Sequence, residues 1–418
     1  MSHLAVSRPS RRRAAAPETP KGRRPATLVP MICDASGGLR TAADDLLSLG
    51  GVTTAGAPAS TRVALVHFGN QGGLGTTRRV AVWRELLAGA GVDVVEVNLL
   101  DQHRRRAPSP ATAVAALRGV VVPEAAAWSS RGAARAIRSS DADAAVFVTA
   151  RAFHPELAAA VRTSVLDLQD LFSRSYRGRS MVDRRPGART AWKLLASVTA
   201  RFEGRHRRVR TVAAGWSEAR EIGAIWIPNT MSASVPYGAI TDHSGAPADV
   251  LFFGKLGSLP NIDAVRQLAA LWPQVASAVP GARCLLAGAA GGGEVRRIAA
   301  CYGWQLVPDF ADVTELCQAA RLGVVPLRYA NGIQNKVLEA AAAGLPQVVS
   351  GQALRGLAPG FPAAVADNPA AAISAVAGLL SSPAHRLDLA RQAHAHVTAN
   401  YSVEHWVEPA HDLVTAAA

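Results

Sequence analysis

Lys336 and Glu339 stand three residues apart within Asn331-Gly332-Ile333-Gln334-Asn335-Lys336-Val337-Leu338-Glu339-Ala340. On a helix that spacing puts an ammonium and a carboxylate on one face. The pattern predicts a helix opening near Gln334, with Lys336 in its first turn and Glu339 about one turn on. A helix N-terminus exposes backbone N–H groups and the positive end of the helix dipole, which suits a phosphate. Lys336 would add its charge beside that phosphate, and Glu339 could accept hydrogen bonds from ribose hydroxyls. Gly323–Arg328 reads as the strand before this helix. Gly344-Leu345-Pro346 stops the helix, and Gln347–Ser350 reads as the next parallel strand. A strand–helix–strand unit with a cation and an acid at one helix end outlines a seat for a nucleoside diphosphate.

The stretch Gly332 to Ala340, nine residues without a gap, resembles the donor-binding half of GT-B-fold retaining glycosyltransferases, glycosyl transferases group 1 type. It is closest to a branch typified by the exosortase-associated sugar transferases. The resemblance implies two Rossmann-like, doubly wound parallel-sheet domains facing a cleft. It implies sugar transfer from a nucleoside-diphosphate sugar to a hydroxyl or amine acceptor, with retention of configuration, no metal and no further cofactor. The wider family has a glutamate at both ends of this site; here Asn331 takes the first place, an amide without charge. Phe253-Gly254-Lys255-Leu256 resembles the turn whose basic residue faces the diphosphate, and Ser258–Asp263 resembles a variant of the segment after it. Gly72-Gly73 is similar to the family's N-terminal Gly-Gly loop. Asp309 matches the loop under the nucleotide base, and Ile227-Pro228-Asn229 the segment closing the N-terminal domain.

On the acceptor side, Asp167 and Asp170 resemble the branch's acidic strand end. Carboxylates at such an end face the crevice where open α/β sheets bind ligands, and could take or orient an acceptor proton. The family's histidine would fall near Val148 or Thr149; His154 lies just beyond and is the nearest catalytic candidate. Each residue has a plainer reading. His154 before Pro155 suits a helix start, Asp309 a helix cap, Asp167 and Asp170 a cap or an ion pair with arginine, and His67 a packed core position. Gly73-x-Gly75-x-x-Arg78, with Glu96 expected to end the next strand, is a partial dinucleotide fingerprint whose third glycine is an arginine. That leaves an oxidoreductase, a nucleotide-sugar epimerase and a non-catalytic GT-B-like binding protein as rivals. No His/Cys/carboxylate spacing suggests a metal.

The formal charge of +14 is local. Residues 1–25 hold seven basic side chains against one acidic, residues 174–210 twelve against two, and the remainder is slightly acidic. This argues against a nucleic-acid-binding fold. The 174–210 stretch reads as a helix with a solvated arginine face, or as a contact with anionic lipid headgroups. The acceptor could then be a small molecule, a lipid-linked unit or a glycan. No apolar run approaches the ~18 residues of a membrane span. The basic N-terminus lacks the apolar segment of a secretory signal. The four cysteines form no Cys-x-x-Cys pair. A reduced, cytoplasmic setting follows, with peripheral contact to the inner membrane face as an option.

These residues need a scaffold. Residues 1–60 read as a basic, structureless extension and 61–235 as a first β/α alternation. Residues 236–249 read as a linker and 250–395 as the second alternation. Residues 396–418 are a last helix that, by the resemblance, crosses back to the first domain.

Overall fold

Central strands of this chain are unbroken apolar runs, which demand cover on both faces. The computed structural model describes residues 61–69, 74–101, 110–125, 130–183, 185–206, 210–289 and 293–416. The expected extension over 1–60, with Gly72 and Gly73, lies outside the described residues. The first half runs β1 (Arg62–His67), α1 (Leu74–Gly89), β2 (Asp93–Asn98), α2 (Pro110–Leu117), α3 (Ser130–Ser139), β3 (Ala144–Val148) and α4 (Pro155–Ala158). It continues through β4 (Thr163–Asp167), α5 (Phe172–Val182), α6 (Ala188–Arg205), β5 (Arg210–Ala213), α7 (Trp216–Ile222) and β6 (Ile225–Trp226). The second half runs β7 (Ala248–Phe253), α8 (Leu259–Ala278), β8 (Cys284–Ala287), α9 (Gly293–Tyr302), β9 (Gln305–Val307), α10 (Val313–Gln318), β10 (Ala320–Val325) and α11 (Asn335–Ala342). It ends with β11 (Gln347–Val349), α12 (Gly351–Leu354), β12 (Ala364–Val365), α13 (Pro369–Ser381), α14 (Pro383–Tyr401) and α15 (Val403–Thr415).

The strands form two six-stranded sheets, in the orders β2-β1-β3-β4-β5-β6 and β12-β11-β10-β7-β8-β9. Every neighbouring pair is parallel, with Val63 opposite Ala144 in the first sheet and Leu322 opposite Val250 in the second. Strands β3 and β7 are buried along their whole length. One core gathers Val66, Phe147, Phe153 and Phe202 against the first sheet. The other gathers Leu251, Phe253, Leu285 and Leu345 against the second. This is the two-sheet, doubly wound α/β architecture expected from the sequence.

Local chemistry moves several boundaries. β10 begins at Ala320 and stops at Val325, short of the expected Arg328, because Pro326 has no N–H for the ladder. α10 ends at Gln318, because Ala320 is already paired with Ala248. α8 opens at Leu259 with Pro260 in its first turn, where a missing N–H costs nothing. The last helix, expected over 396–418, is broken at Ser402: Tyr401 ends α14 and α15 opens at Val403.

α15 packs along α1 of the first half, and at Gly89 an added Cβ would lie 2.9 Å from Val407 Cγ2. The Trp226 ring meets Trp216 and Trp406 edge-on at 5.0 Å each. Tyr401 accepts a hydrogen bond from Met231 N (2.7 Å) through its carbonyl and one from Ala358 N (2.7 Å) through its hydroxyl. The chain's end thus holds the first sheet and the loops of the second together. Trp406 is buried, and its indole N–H donates to Asn400 O at 2.9 Å. Trp406→Ala is expected to cost about 3–5 kcal/mol, read as a lowered denaturant midpoint.

Candidate functional site

In each sheet the strand order reverses beside the first strand laid down, between β1 and β3 and between β7 and β10. Ligands of open α/β sheets bind beyond the strand C-termini at such switch points. In the second sheet that place is the turn after β7, facing the segment after β10.

Gly254 follows β7 with φ +137°, and Gly288 follows β8 with φ +125°. A Cβ on Gly288 would lie 1.9 Å from Gly254 O, so the two backbones meet where no side chain fits. A Cβ on Gly254 would come 3.1 Å from both Asn261 Nδ2 and Lys336 Nζ. Lys336 is packed directly beneath this turn. Its amine donates to Asn261 Oδ1 (2.6 Å) and sits 4.5 Å from the centre of the Phe252 ring. Burial pushes that amine down to about 7, with the Glu339 charge opposing the shift. Asn261 Nδ2 in turn donates to Lys255 O (2.9 Å), and the Lys255 side chain is exposed on the turn. Lys336, 81 positions beyond Lys255, is therefore packed under the turn on which Lys255 stands. Asp263, one α8 turn further in, is buried and takes a hydrogen bond from Arg328 Nε (2.7 Å). The Pro260–Asp263 segment thus ties α8 to both ends of the loop that carries Lys336.

Across the crevice the first half supplies partners. Arg78 Nη1 on α1 donates to Glu339 Oε1, and Arg78 Nη2 lies 3.5 Å from Met231 Sδ. Asn335 Oδ1 accepts from Asn229 Nδ2 (2.9 Å). Gly332 has φ +57°, and its N–H donates to Glu218 Oε1 on α7 (3.1 Å). A Cβ at Gly332 would fall 1.5 Å from Asp170 Oδ1, so only glycine fits between the two halves here. Ile333 is buried, and Gln334 Nε2 donates to Asn331 O (3.0 Å). With its amide turned so that both polar atoms are satisfied, Asn331 accepts from Ser175 N and donates to Ala330 O, each at 3.1 Å. Gly254 and Lys336 are therefore brought together, with the Glu339 charge acting on the ammonium, while Asn331, Gly332 and Asn335 spend polar groups on joining the halves.

The acceptor-side candidates separate. Asp167 is wholly buried and accepts from Arg79 Nε (2.5 Å), Trp83 Nε1 (2.6 Å) and Gln169 N (2.8 Å). It is the arginine ion pair of the plainer reading. Asp170 instead lies at the crevice against Gly332. Burial, with the Glu218 and Asp167 charges, pushes its carboxyl up to about 7. His154 caps α4, its Nδ1 accepting from Glu156 N (3.3 Å), and burial lowers its pKa. Asp309 is exposed in the loop before α10, and Asp312, not Asp309, caps that helix through Thr314 N (2.6 Å). Near Val148 and Thr149, where the resemblance would put a histidine, Thr149 is buried at φ 74° and ψ 150°. That conformation is strained for a β-branched residue. Glu96 is inside β2, not at its end, and pairs with Arg84 Nε (2.7 Å) and His67 Nε2 (3.3 Å). The ribose carboxylate of the dinucleotide reading is thus turned onto its own sheet and helix. His67 is buried as expected, with Nδ1 accepting from Gly69 N (2.8 Å).

Local spacing does not single out Arg79 or Glu218, and it marks Arg78 only as the arginine at the third glycine position of the partial fingerprint. Each acts through a partner 40 or more positions away, and no local spacing signals that. The arginine-rich stretch folds as the hairpin α5–α6. Arg179 lies over the stacked Tyr176 and Trp192 rings (5.8 and 5.2 Å), and Arg174 pairs with Glu218 and Glu221. Arg177, Arg185, Arg189, Lys193, Arg201 and Arg205 are exposed. Among the described residues no helix is long and apolar enough to cross a membrane.

Residues 247–382 match the family model of glycosyl transferases group 1. No curated protein is recognisably similar in sequence. Among solved structures, HepE of Anabaena in complex with UDP and glucose is 14% identical, with a TM-score of 0.55 over 84% of this chain and 98% of that one. WaaG, a glycosyltransferase involved in lipopolysaccharide biosynthesis, is also 14% identical, with a TM-score of 0.55 over 85% of this chain and all (100%) of that one. TarM of S. aureus is 9% identical, with a TM-score of 0.52 over 68% of this chain, which spans only 58% of TarM. Residues 247–382 are thus similar to glycosyl transferases group 1, and the two-sheet fold of the chain is the GT-B architecture.

Proposed function

We propose that the protein transfers a sugar from a nucleoside-diphosphate donor to a hydroxyl or amine acceptor in the crevice between its sheets, with retention of configuration and without a metal. The observation that carries this reading is the Lys336 ammonium packed under Gly254 in the turn after β7, at the switch point of the second sheet, with the Glu339 charge acting on it and Lys255 next to Gly254 in the chain. The diphosphate would lie between the two lysines and the N-terminus of α11, and Glu339 would accept from the ribose hydroxyls. UDP bound by a protein of like fold agrees with this. In the transfer, the bond from the anomeric carbon to the diphosphate oxygen breaks and one to the acceptor oxygen or nitrogen forms on the same face. The acceptor's proton passes to the leaving diphosphate, whose growing charge the lysines stabilise. Asp170, at the crevice with its pKa near neutrality, would hold the acceptor's polar hydrogen. Asp167 would act only by fixing Arg79, and His154 only by starting α4. Lipid-linked or glycan acceptors fit the exposed arginine hairpin, which we place against an anionic membrane surface, on the cytoplasmic side.

The Lys336→Ala, Glu339→Ala double variant is expected to fold and to lose donor turnover by at least about a hundredfold. Full turnover in the folded variant refutes the assignment; release of sugar from a nucleotide-sugar panel is the measurement. A bound diphosphate would raise the Lys336 pKa above its resting value of about 7. The complex then holds more protons than the resting protein above that pH. Affinity for UDP should fall as pH rises past 7, by up to about tenfold per unit. The Lys336→Met variant should lose this dependence, which calorimetry in buffers of different ionisation enthalpy would read. Asp170 has a folded pKa of about 7 against 3.8 in an unstructured chain. Its contribution is therefore present at low pH and lost as pH rises through 7. Asp170→Asn should raise stability by on the order of 2 kcal/mol at pH 8 and by almost nothing at pH 4. Turnover should fall in the same variant, and stability and rate moving in opposite directions would mark a functional carboxyl.

A further inference from the structure

We infer that Arg78 is a positioning residue for Glu339, one that makes the grip on a donor's ribose depend on the two halves meeting across the crevice. The inference rests on the proposed donor site and adds a residue to it from the opposite half. Arg78 and Glu339 are 261 positions apart and joined by a guanidinium–carboxylate contact, with side chains 27% and 24% exposed. The pair therefore lies at the crevice surface, where a ligand can reach it. Arg78 holds Glu339 through Oε1. A carboxylate accepts through both oxygens, so Oε2 can still take a ribose O–H while Oε1 stays paired. The Nη1–Oε1 contact, with Nη2 held at Met231 Sδ (3.5 Å), anchors one carboxylate oxygen and so narrows the rotamers of Glu339, a restraint that a lone glutamate on a helix surface would not have.

The base of Arg78 is rigid. Its neighbour Arg79 is fully buried and held by Asp167 (2.5 Å), Pro228 O (2.9 Å) and Asn229 Oδ1 (3.3 Å). α1 therefore cannot slide without breaking that buried pair. The other end is fixed as well, because Asn229 also donates to Asn335 (2.9 Å), one helical turn before Glu339. A partly exposed ion pair is weak by itself. Its effect is to orient Glu339 only when α1 and α11 face each other, so ribose binding and closure of the halves reinforce one another.

The test uses the full chain and equilibrium binding of uridine, guanosine, adenosine and cytidine diphosphates, each beside its 2′-deoxy counterpart. For the tightest pair, Arg78→Gln should weaken the ribonucleotide about tenfold and bring the ribo/deoxy ratio close to one. Arg78→Lys should recover part of the ratio. Glu339→Ala should abolish the ratio, and the double variant should be no worse than Glu339→Ala. Unfolding midpoints show that each variant is folded. A purely structural Arg78 would weaken both nucleotides equally and leave the ratio intact, which overturns the inference. So would tighter binding in Arg78→Gln, because Arg78 would then be competing with the ribose. If Glu339→Ala leaves the ratio unchanged, or no diphosphate binds the native chain, the donor-site reading fails together with it.

Discussion

A guanidinium with no exposed surface sets the geometry of this crevice. Arg79 meets Asp167 at the end of β4, reaches Pro228 and Asn229 where the first half ends, and through Asn229 is linked to Asn335 at the start of α11. Burying two charges costs several kcal/mol each, so such a pair is weak evidence for stability. Its effect is directional. Breaking it would leave a carboxylate enclosed by Trp83 and β4 without a counter-ion. The first sheet, the segment between the halves and the helix that carries Lys336 and Glu339 are thereby fixed in one arrangement.

Glycine provides the second constraint. Gly288 against Gly254, and Gly332 against Asp170, are places where an added Cβ would overlap another group outright. At the first pair, the strand ends of the second sheet close up until Lys336 lies under the turn that bears Lys255. At the second, the loop before α11 lies against the acidic edge of the first sheet. The crevice holds two buried groups of opposite kind, the Lys336 amine on the second half and the Asp170 carboxyl on the first, and burial moves both towards neutrality.

The sequence made the sheets legible because their strands are short apolar runs between glycine and proline signals. Of the strands flanking α11, β11 ends one residue from its expected limit and β10 lies three residues early. The helices α2 and α7 were less legible, being short segments of small or polar residues. α3 does carry a helical period, with Ser130, Ala133, Ala134 and Ile137 buried on one face. For the donor side, local spacing was enough to bring forward Lys336 and Glu339, because both lie on one helix turn. For the acceptor side it could not separate Asp167 from Asp170. Both sit at the same strand end, yet one is enclosed by Arg79 and Trp83 and the other faces Gly332.

By itself the sequence determined the β/α alternation, the glycine and proline stops, and the helix that presents an ammonium and a carboxylate on one face. Those depend on residues within a few positions of each other, where periodicity and backbone preference act. Only the tertiary structure decided which charges are paired. Arg78 with Glu339, Glu218 with Gly332 and Asn229 with Asn335 join segments more than a hundred positions apart. A side chain's partner, burial and proton affinity are properties of the assembled crevice, and no stretch of chain contains them.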